Sequence, residues 1–404
     1  MSKHDLLEKK DSQAKKKNIG DTITELQLEW DTLIKDCDPF TVDKSILSDF
    51  FRKVWPVVIQ PVLIDSLFKT DTVEDIIQYV LTLLIRSAQM NLYNKNKDRP
   101  LGRSCNRIIT GCKNVGKTLL MKGLQLFIEE FCSKFTKVYF IDFSLNPDFI
   151  SNKLDPPIEG DFTDSNVNMW CQKQKKTLIL FGDEFQTLYL KNSKDLKANT
   201  NMVRQLLAVG KASLAVGILS GSSAATKSLA HRESTFTSDI YSFMAFEDLN
   251  HQCYIELVIP PMRNKEEITT FLSDLKIPTT ELNNYMSKTG GVGGQMLDLY
   301  NSIYNHKSVV KTLLSWLDTD KKMAFIIRLL FSKNRDNEDR IWNQKSIQWS
   351  ELPAQLFPHP HSALLEACDS GVLILNQYQA FELLLPSYYD MLITIFKEKP
   401  SICL

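Results

Sequence analysis

The chain lacks several features that mark particular protein classes. None of its eight cysteines (positions 37, 105, 112, 132, 171, 253, 368 and 403) stands in a CxxC pair, so the spacing of a thiolate zinc site is absent. Several lie inside apolar runs, as buried free thiols do. Net charge is lacking too. The 48 Lys and Arg balance 48 Asp and Glu, so no global field favours nucleic acid or a membrane surface. The longest apolar run, IIQYVLTLLI at 76–85, falls well short of the about 20 residues that a bilayer-spanning helix needs. The opening MSKHDLLEKKDSQAKKK has no apolar centre, which excludes a secretory signal. There is no internal repeat. These absences predict an intracellular protein of the cytoplasm or nucleus, with reduced thiols and no membrane partner.

What is present is an ordinary globular composition. The 404 residues are 43% hydrophobic and 24% charged, enough for two or three domains. Residues 1–20 are polar and lysine-rich and predict a disordered tail. ITELQLEWDTLI, SILSDFFRKVW and VEDIIQYVLTLLIRSAQM predict a helical N-terminal segment over 21–100. The texture then changes. The apolar runs RIIT, KVYFIDFS, TLILFGDEF and SLAVGILSGSS alternate with helical stretches such as KTLLMKGLQLFIEEFCSKF, which predicts a parallel sheet covered on both faces over 101–260. After Pro260-Pro261 the strands stop, and three short helices are expected over 261–306. The remainder, 307–404, reads as helices near 308–332, then helix, Gly371, strand, turn, strand and helix, the pattern of a winged helix.

Two motifs carry chemistry. Gly111-Cys112-Lys113-Asn114-Val115-Gly116-Lys117-Thr118 fits GxxxxGK[ST] between a strand and a helix. The glycines let the backbone curl so that its N–H groups point at phosphate oxygens, and the helix beginning near Lys117 adds its positive end. Lys117 would offset the β- and γ-phosphate charge, and Thr118 would give a hydroxyl to Mg²⁺. The second motif, LILFGDEFQ, ends an apolar strand in Asp183-Glu184, 65 residues after Thr118. Ligands bind at the carboxyl ends of parallel strands, which places these acids beside the loop. Asp183 is expected to hold Mg²⁺ through water, and Glu184 to orient or deprotonate the attacking water. The next strand ends in the hydroxyls Ser220, Ser222 and Ser223, and Ser222 is taken as the γ-phosphate contact.

On these residues the chain resembles the P-loop ATPases of the AAA+ and STAND group. Its DEFQ and SGSS strand ends are similar to the archaeal-type ATPase branch and to the P-loop domains of Crinkler effectors and retrotransposon hot spot proteins. The resemblance covers about residues 100–400. It implies an α/β fold: a three-layer P-loop NTPase core with a parallel sheet, a helical lid and a C-terminal winged-helix-like domain, preceded by the helical N-terminal segment. It also implies ATP and Mg²⁺ as ligands. The STAND lid usually carries a GxP turn against the nucleotide. TGGVGGQM at 289–296 stands in that place without a proline, so the adenine contact is not carried over. No arginine finger is assigned, and Arg232 and Arg263 are expected at the surface.

The leading functional expectation is an ATP-binding, ATP-hydrolysing switch. Nucleotide state would reposition the lid and winged helix for a protein partner, with oligomers allowed. A DNA-associated ATPase is the alternative, favoured by eight Lys and Arg against one Asp over 95–122. A Crinkler-like effector NTPase, and a protein that binds nucleotide only for stability, are further readings. No NKxD-type guanine signature appears, which favours ATP over GTP. The four glycines of 290–294 are expected to move with nucleotide state.

Overall fold

The computed structural model describes residues 3–39, 41–58, 71–93, 95, 106–112, 114–145, 150, 154–185, 187, 196–222, 254–302, 307–353, 367–368, 371–375 and 380–398. Five strands form the central sheet: β1 (Asn106–Gly111), β2 (Thr136–Asp142), β3 (Thr177–Asp183), β4 (Ala215–Ser222) and β5 (Tyr254–Ile259). Their spatial order is β2-β3-β4-β1-β5, and every pair is parallel. Both faces are covered, so the inner strands are unbroken apolar runs, with Leu178, Ile179, Leu180 and Phe181 of β3 wholly buried. The strand β5 has no counterpart in the sequence reading. It adds an edge beside β1.

Among the described residues, six α-helices precede or cross the sheet: α1 (Lys3–Asp36), α2 (Lys44–Val58), α3 (Asp71–Leu92), α4 (Lys117–Phe131), α5 (Asp164–Gln174) and α6 (Leu196–Lys211). The last three connect β1 to β2, β2 to β3 and β3 to β4. Asn106, buried at the start of β1, locks two of these layers together. Its Oδ1 accepts from the Gly217 N–H at 2.8 Å, and its Nδ2 donates to the Leu206 carbonyl at 2.8 Å.

The N-terminal helices do not form a layer of their own. One hydrophobic core joins Trp30, Phe50 and Phe51 to Phe127 and Phe131 of α4. Trp30 stacks on Phe50 with ring centroids 5.3 Å apart and meets Phe127 edge-on at 5.4 Å. Gln89 of α3 donates to the carbonyls of Ile34 and Cys37 at 2.8 and 2.7 Å, closing the C-terminal end of α1. Residues 3–20, expected as a disordered tail, continue α1. This stretch is rich in the helix-favouring residue types Lys, Glu, Gln and Leu, and no proline occurs before Pro39.

After the sheet come α7 (Lys265–Asp274), α8 (Leu282–Thr289) and α9 (Gly293–Tyr300), packed on Ile268, Phe271, Leu272, Tyr285, Met286 and Met296. Then follow α10 (Lys307–Thr319), α11 (Lys321–Asn334), an antiparallel hairpin of β6 (Leu373–Leu375) and β7 (Phe381–Leu383), and α12 (Ser387–Glu398). Asp320 caps α11 through the N–H groups of Lys322 and Met323 at 2.9 and 3.0 Å. The helix expected over SALLEA falls mostly outside the described residues, which resume as helix at 367–368. Among the described residues, no helix is long and apolar enough to cross a membrane.

Candidate functional site

The site forms where β1, β3 and β4 end. Gly111 closes β1 at φ 152°, and a Cβ there would meet the Ile259 carbonyl oxygen at 2.5 Å and Val115 Cγ1 at 3.0 Å. Glycine is therefore what lets the end of β1 press against β5. The loop curls through Asn114 at φ 65° and Gly116 at φ 111° into α4. Gly116 caps that helix without a side chain, so the first N–H groups and the positive end of the helix dipole are left to the loop. The ammonium of Lys117 curls back over the loop and donates to the carbonyls of Gly111 and Cys112 at 3.0 and 2.9 Å. Val115 buries its side chain in the core and can offer only its backbone. Lys113 lies outside the described residues.

The second motif arrives from across the sheet. Thr118 Oγ1 donates to Asp183 Oδ2 at 2.9 Å. Asp183 Oδ1 accepts from the Glu184 N–H at 3.0 Å and from the hydroxyl of Ser220. The register explains the serine: Gly182 pairs with Leu219, so the next residues along, Asp183 and Ser220, lie side by side. Ser222 was the expected phosphate contact. Its backbone pairs with Gly111, and the structure describes no side-chain position for it. Ser220 is the serine that reaches the acid. Glu184 is exposed, at φ 55°, in a turn held by Thr187, whose N–H and hydroxyl donate to the Glu184 carbonyl at 2.9 and 2.8 Å. The Phe185 N–H bonds the Ser220 carbonyl at 2.8 Å, fixing the turn to β4.

Two features differ from expectation. The glycine turn is packed, with Gly290, Gly291 and Val292 buried. The Gly294 N–H donates to the Asn114 carbonyl at 3.0 Å, and Met262 N donates to the Gly291 carbonyl at 2.9 Å. A Cβ at Gly290 would overlap the Leu384 carbonyl oxygen, and one at Gly291 that of Met262. Gly290, Gly291 and Gly294 thus serve close approach to protein backbone. Arg263, expected at the surface, is partly buried. It donates to Glu382 Oε2 of β7 at 3.4 Å, and burial pulls its pKa below the usual guanidinium value, offset in part by Glu382. Arg232 and Ser223 lie outside the described residues. Cys112 is half-buried and packs against both the sheet core and the C-terminal core. Burial pushes its thiol pKa up, opposed by the charges of Lys117 and Arg263.

No protein-family model matches the chain, and no curated protein matches it. Among solved structures it is similar to a Walker-type ATPase of Pyrococcus abyssi, at 13% identity and a TM-score of 0.38, covering 76% of this chain and 94% of that one. It is also similar to the ORC2 protein of Aeropyrum pernix in its ADPNP-ADP complexes, at 14% identity and a TM-score of 0.35, covering 80% and 94%. A third is PCH-2 of C. elegans, at 17% identity and a TM-score of 0.29, covering 65% and 66%.

Proposed function

We propose that the chain binds a nucleoside triphosphate, ATP in preference, at residues 111–118 and hydrolyses it. The observation that carries this reading is the 2.9 Å hydrogen bond from Thr118 to Asp183, which joins the glycine loop to the strand-end acid across 65 residues. The residues present fit a Mg²⁺-nucleotide: a hydroxyl and a carboxylate meet at the mouth of a loop where a Cβ at Gly111 has no room. Mg²⁺, when bound, neutralises phosphate charge and orients the phosphate oxygens. Thr118 and Asp183 would hold it. Lys117 would exchange its two carbonyl partners for the β- and γ-phosphates, and the loop N–H groups would take the remaining oxygens. Glu184, one residue beyond Asp183, stands where it can orient the attacking water and accept its proton. Ser220 bonds Asp183 from the strand between the two motifs, so it would position the acid.

In this reading the helices of 261–302 form the lid, and 307–398 form a winged-helix-like domain. Nucleotide state would alter their seating for a protein partner, in a monomer or an oligomer. Three contacts support the coupling: Gly294 to Asn114, Gly290 against the Leu384 carbonyl, and Cys112 against the C-terminal core. A DNA-associated ATPase remains the second reading, resting on the basic bias of 95–122. Phosphate release from Mg²⁺-ATP, with and without duplex DNA, tests both. Turnover by the wild type that disappears in Lys117→Ala supports the hydrolase, and stimulation by DNA favours the second reading. A wild-type protein that binds no ATP overturns the proposal.

A further inference from the structure

Arg263 follows directly on Met262, whose N–H is bonded to Gly291. Three residues on, Gly294 is bonded to Asn114 in the phosphate loop. On the other side, Gly290 presses on the Leu384 carbonyl, two residues past Glu382. These contacts bring Arg263 and its partner Glu382 to the seam where Cys112 of the loop packs against the C-terminal core, beside Phe381 and Leu383, and the Arg263 charge counters the rise of the Cys112 pKa. Its side chain is only 27% exposed, yet among the described residues it makes one hydrogen bond, a single contact at 3.4 Å to Glu382. A guanidinium has five N–H donors, and its strong carboxylate pairs are two-pronged at about 2.7–2.9 Å. A poorly matched, partly desolvated cation beside an anion-binding loop suits a second anion better than the partner it has.

We propose that Arg263 is shared between Glu382 and the phosphates of a bound nucleotide, so that a triphosphate in the loop draws Arg263 away from Glu382 and loosens the C-terminal hairpin. The proposal rests on the nucleotide reading above and adds the element that reports occupancy. Glu382 acts as the competing anion. Because binding and release are linked, removing the competitor must tighten nucleotide binding, and tight nucleotide must weaken the hold on the hairpin.

The test measures affinity for Mg²⁺-ATP and Mg²⁺-ADP in Arg263→Gln, Glu382→Gln and the double variant of the full chain, with thermal unfolding of each without nucleotide. Loss of the guanidinium contact should weaken ATP on the order of tenfold and ADP less. Glu382→Gln should tighten ATP by roughly threefold or more, and have no effect once Arg263 is Gln. If Arg263→Gln does not fold, Arg263→Lys replaces it, and the Glu382 effect should shrink in that background. A purely structural ion pair would lower the unfolding temperature in each variant and leave the ratio of ATP to ADP affinity unchanged. That result overturns the inference, as does weaker ATP binding in Glu382→Gln. Wild-type protein that binds neither nucleotide overturns the underlying reading. Wild-type binding with an unaltered Glu382→Gln overturns only the shared arginine.

Discussion

Gly294 donates its backbone N–H to the carbonyl of Asn114 at 3.0 Å, so the turn between α8 and α9 is hydrogen-bonded directly to the glycine loop of 111–118. A Cβ on Gly294 would stand 2.7 Å from that carbonyl oxygen and 3.1 Å from Asn114 Cβ. Gly294→Ala is expected to force the two loops apart, costing about 1–3 kcal/mol of stability. Gly291→Ala should cost more, because φ there is 79° and the added carbon overlaps Met262. Urea denaturation measures both. Unchanged midpoints would mean the turn is a loose connector.

Lys117→Ala is expected to weaken Mg²⁺-ATP by about 1.5–3 kcal/mol, the range of a charge-assisted contact. The Gly111 and Cys112 carbonyls lose their Lys117 partner, so folded stability is expected to fall as well. Calorimetric titration beside a thermal melt separates the two effects.

Glu184→Gln is expected to keep ATP bound and slow turnover on the order of 10²–10⁴-fold, because the amide keeps the shape and cannot accept a proton. Asp183→Asn should instead shift the Mg²⁺ concentration needed for binding, since Asp183 is the residue that meets Thr118. A Glu184→Gln enzyme with wild-type turnover would place the base elsewhere.

Asn106→Ala removes a buried side-chain amide that holds two backbone groups. The Gly217 N–H of β4 and the Leu206 carbonyl of α6 lose the partner that ties them together. A loss of about 2–4 kcal/mol is expected by chemical denaturation, although Asn106 touches no proposed ligand.

Cys171 is buried against Leu214, to whose carbonyl its thiol donates at 3.2 Å, and burial raises its pKa from 9.0 to about 12. The folded state thus holds the proton more tightly than the unfolded chain. The associated stability is fully present below about pH 9 and is lost as pH rises through about 12. Unfolding free energy measured at pH 8 and pH 11 should fall with pH, and fall less in Cys171→Ala.

The legible parts of this chain were those whose chemistry is local. GxxxxGKT, and an apolar strand ending in Asp183-Glu184, need no tertiary information, and the structure brings Thr118 and Asp183 together. Ser220 could not be chosen over Ser222 from sequence, because the choice depends on the β3–β4 register. The strand β5 was missed although YIELVI is β-rich, because its role as an edge appears only on pairing with β1. Arg263 looked like a surface residue because its partner, Glu382, is 119 positions away. In sequence the glycines of 290–294 read as a moving turn. At Gly290, Gly291 and Gly294 the absent Cβ also admits neighbouring backbone, which no single sequence distinguishes from a need to bend.

The aromatic stack of Trp30, Phe50 and Phe127 has a practical bearing on how the chain can be cut. A fragment beginning near residue 100 would keep the whole sheet and the phosphate loop, and would still lose the rings that cover Phe127 and Phe131. Such a fragment would carry a bare aromatic patch on the very helix that starts at Lys117, and self-association in solution is its expected fate. The sheet and its glycine loop are therefore not a transplantable cassette. Any fusion or truncation that is to keep Phe127 and Phe131 covered must carry the helical prefix from Leu26 onward along with the loop.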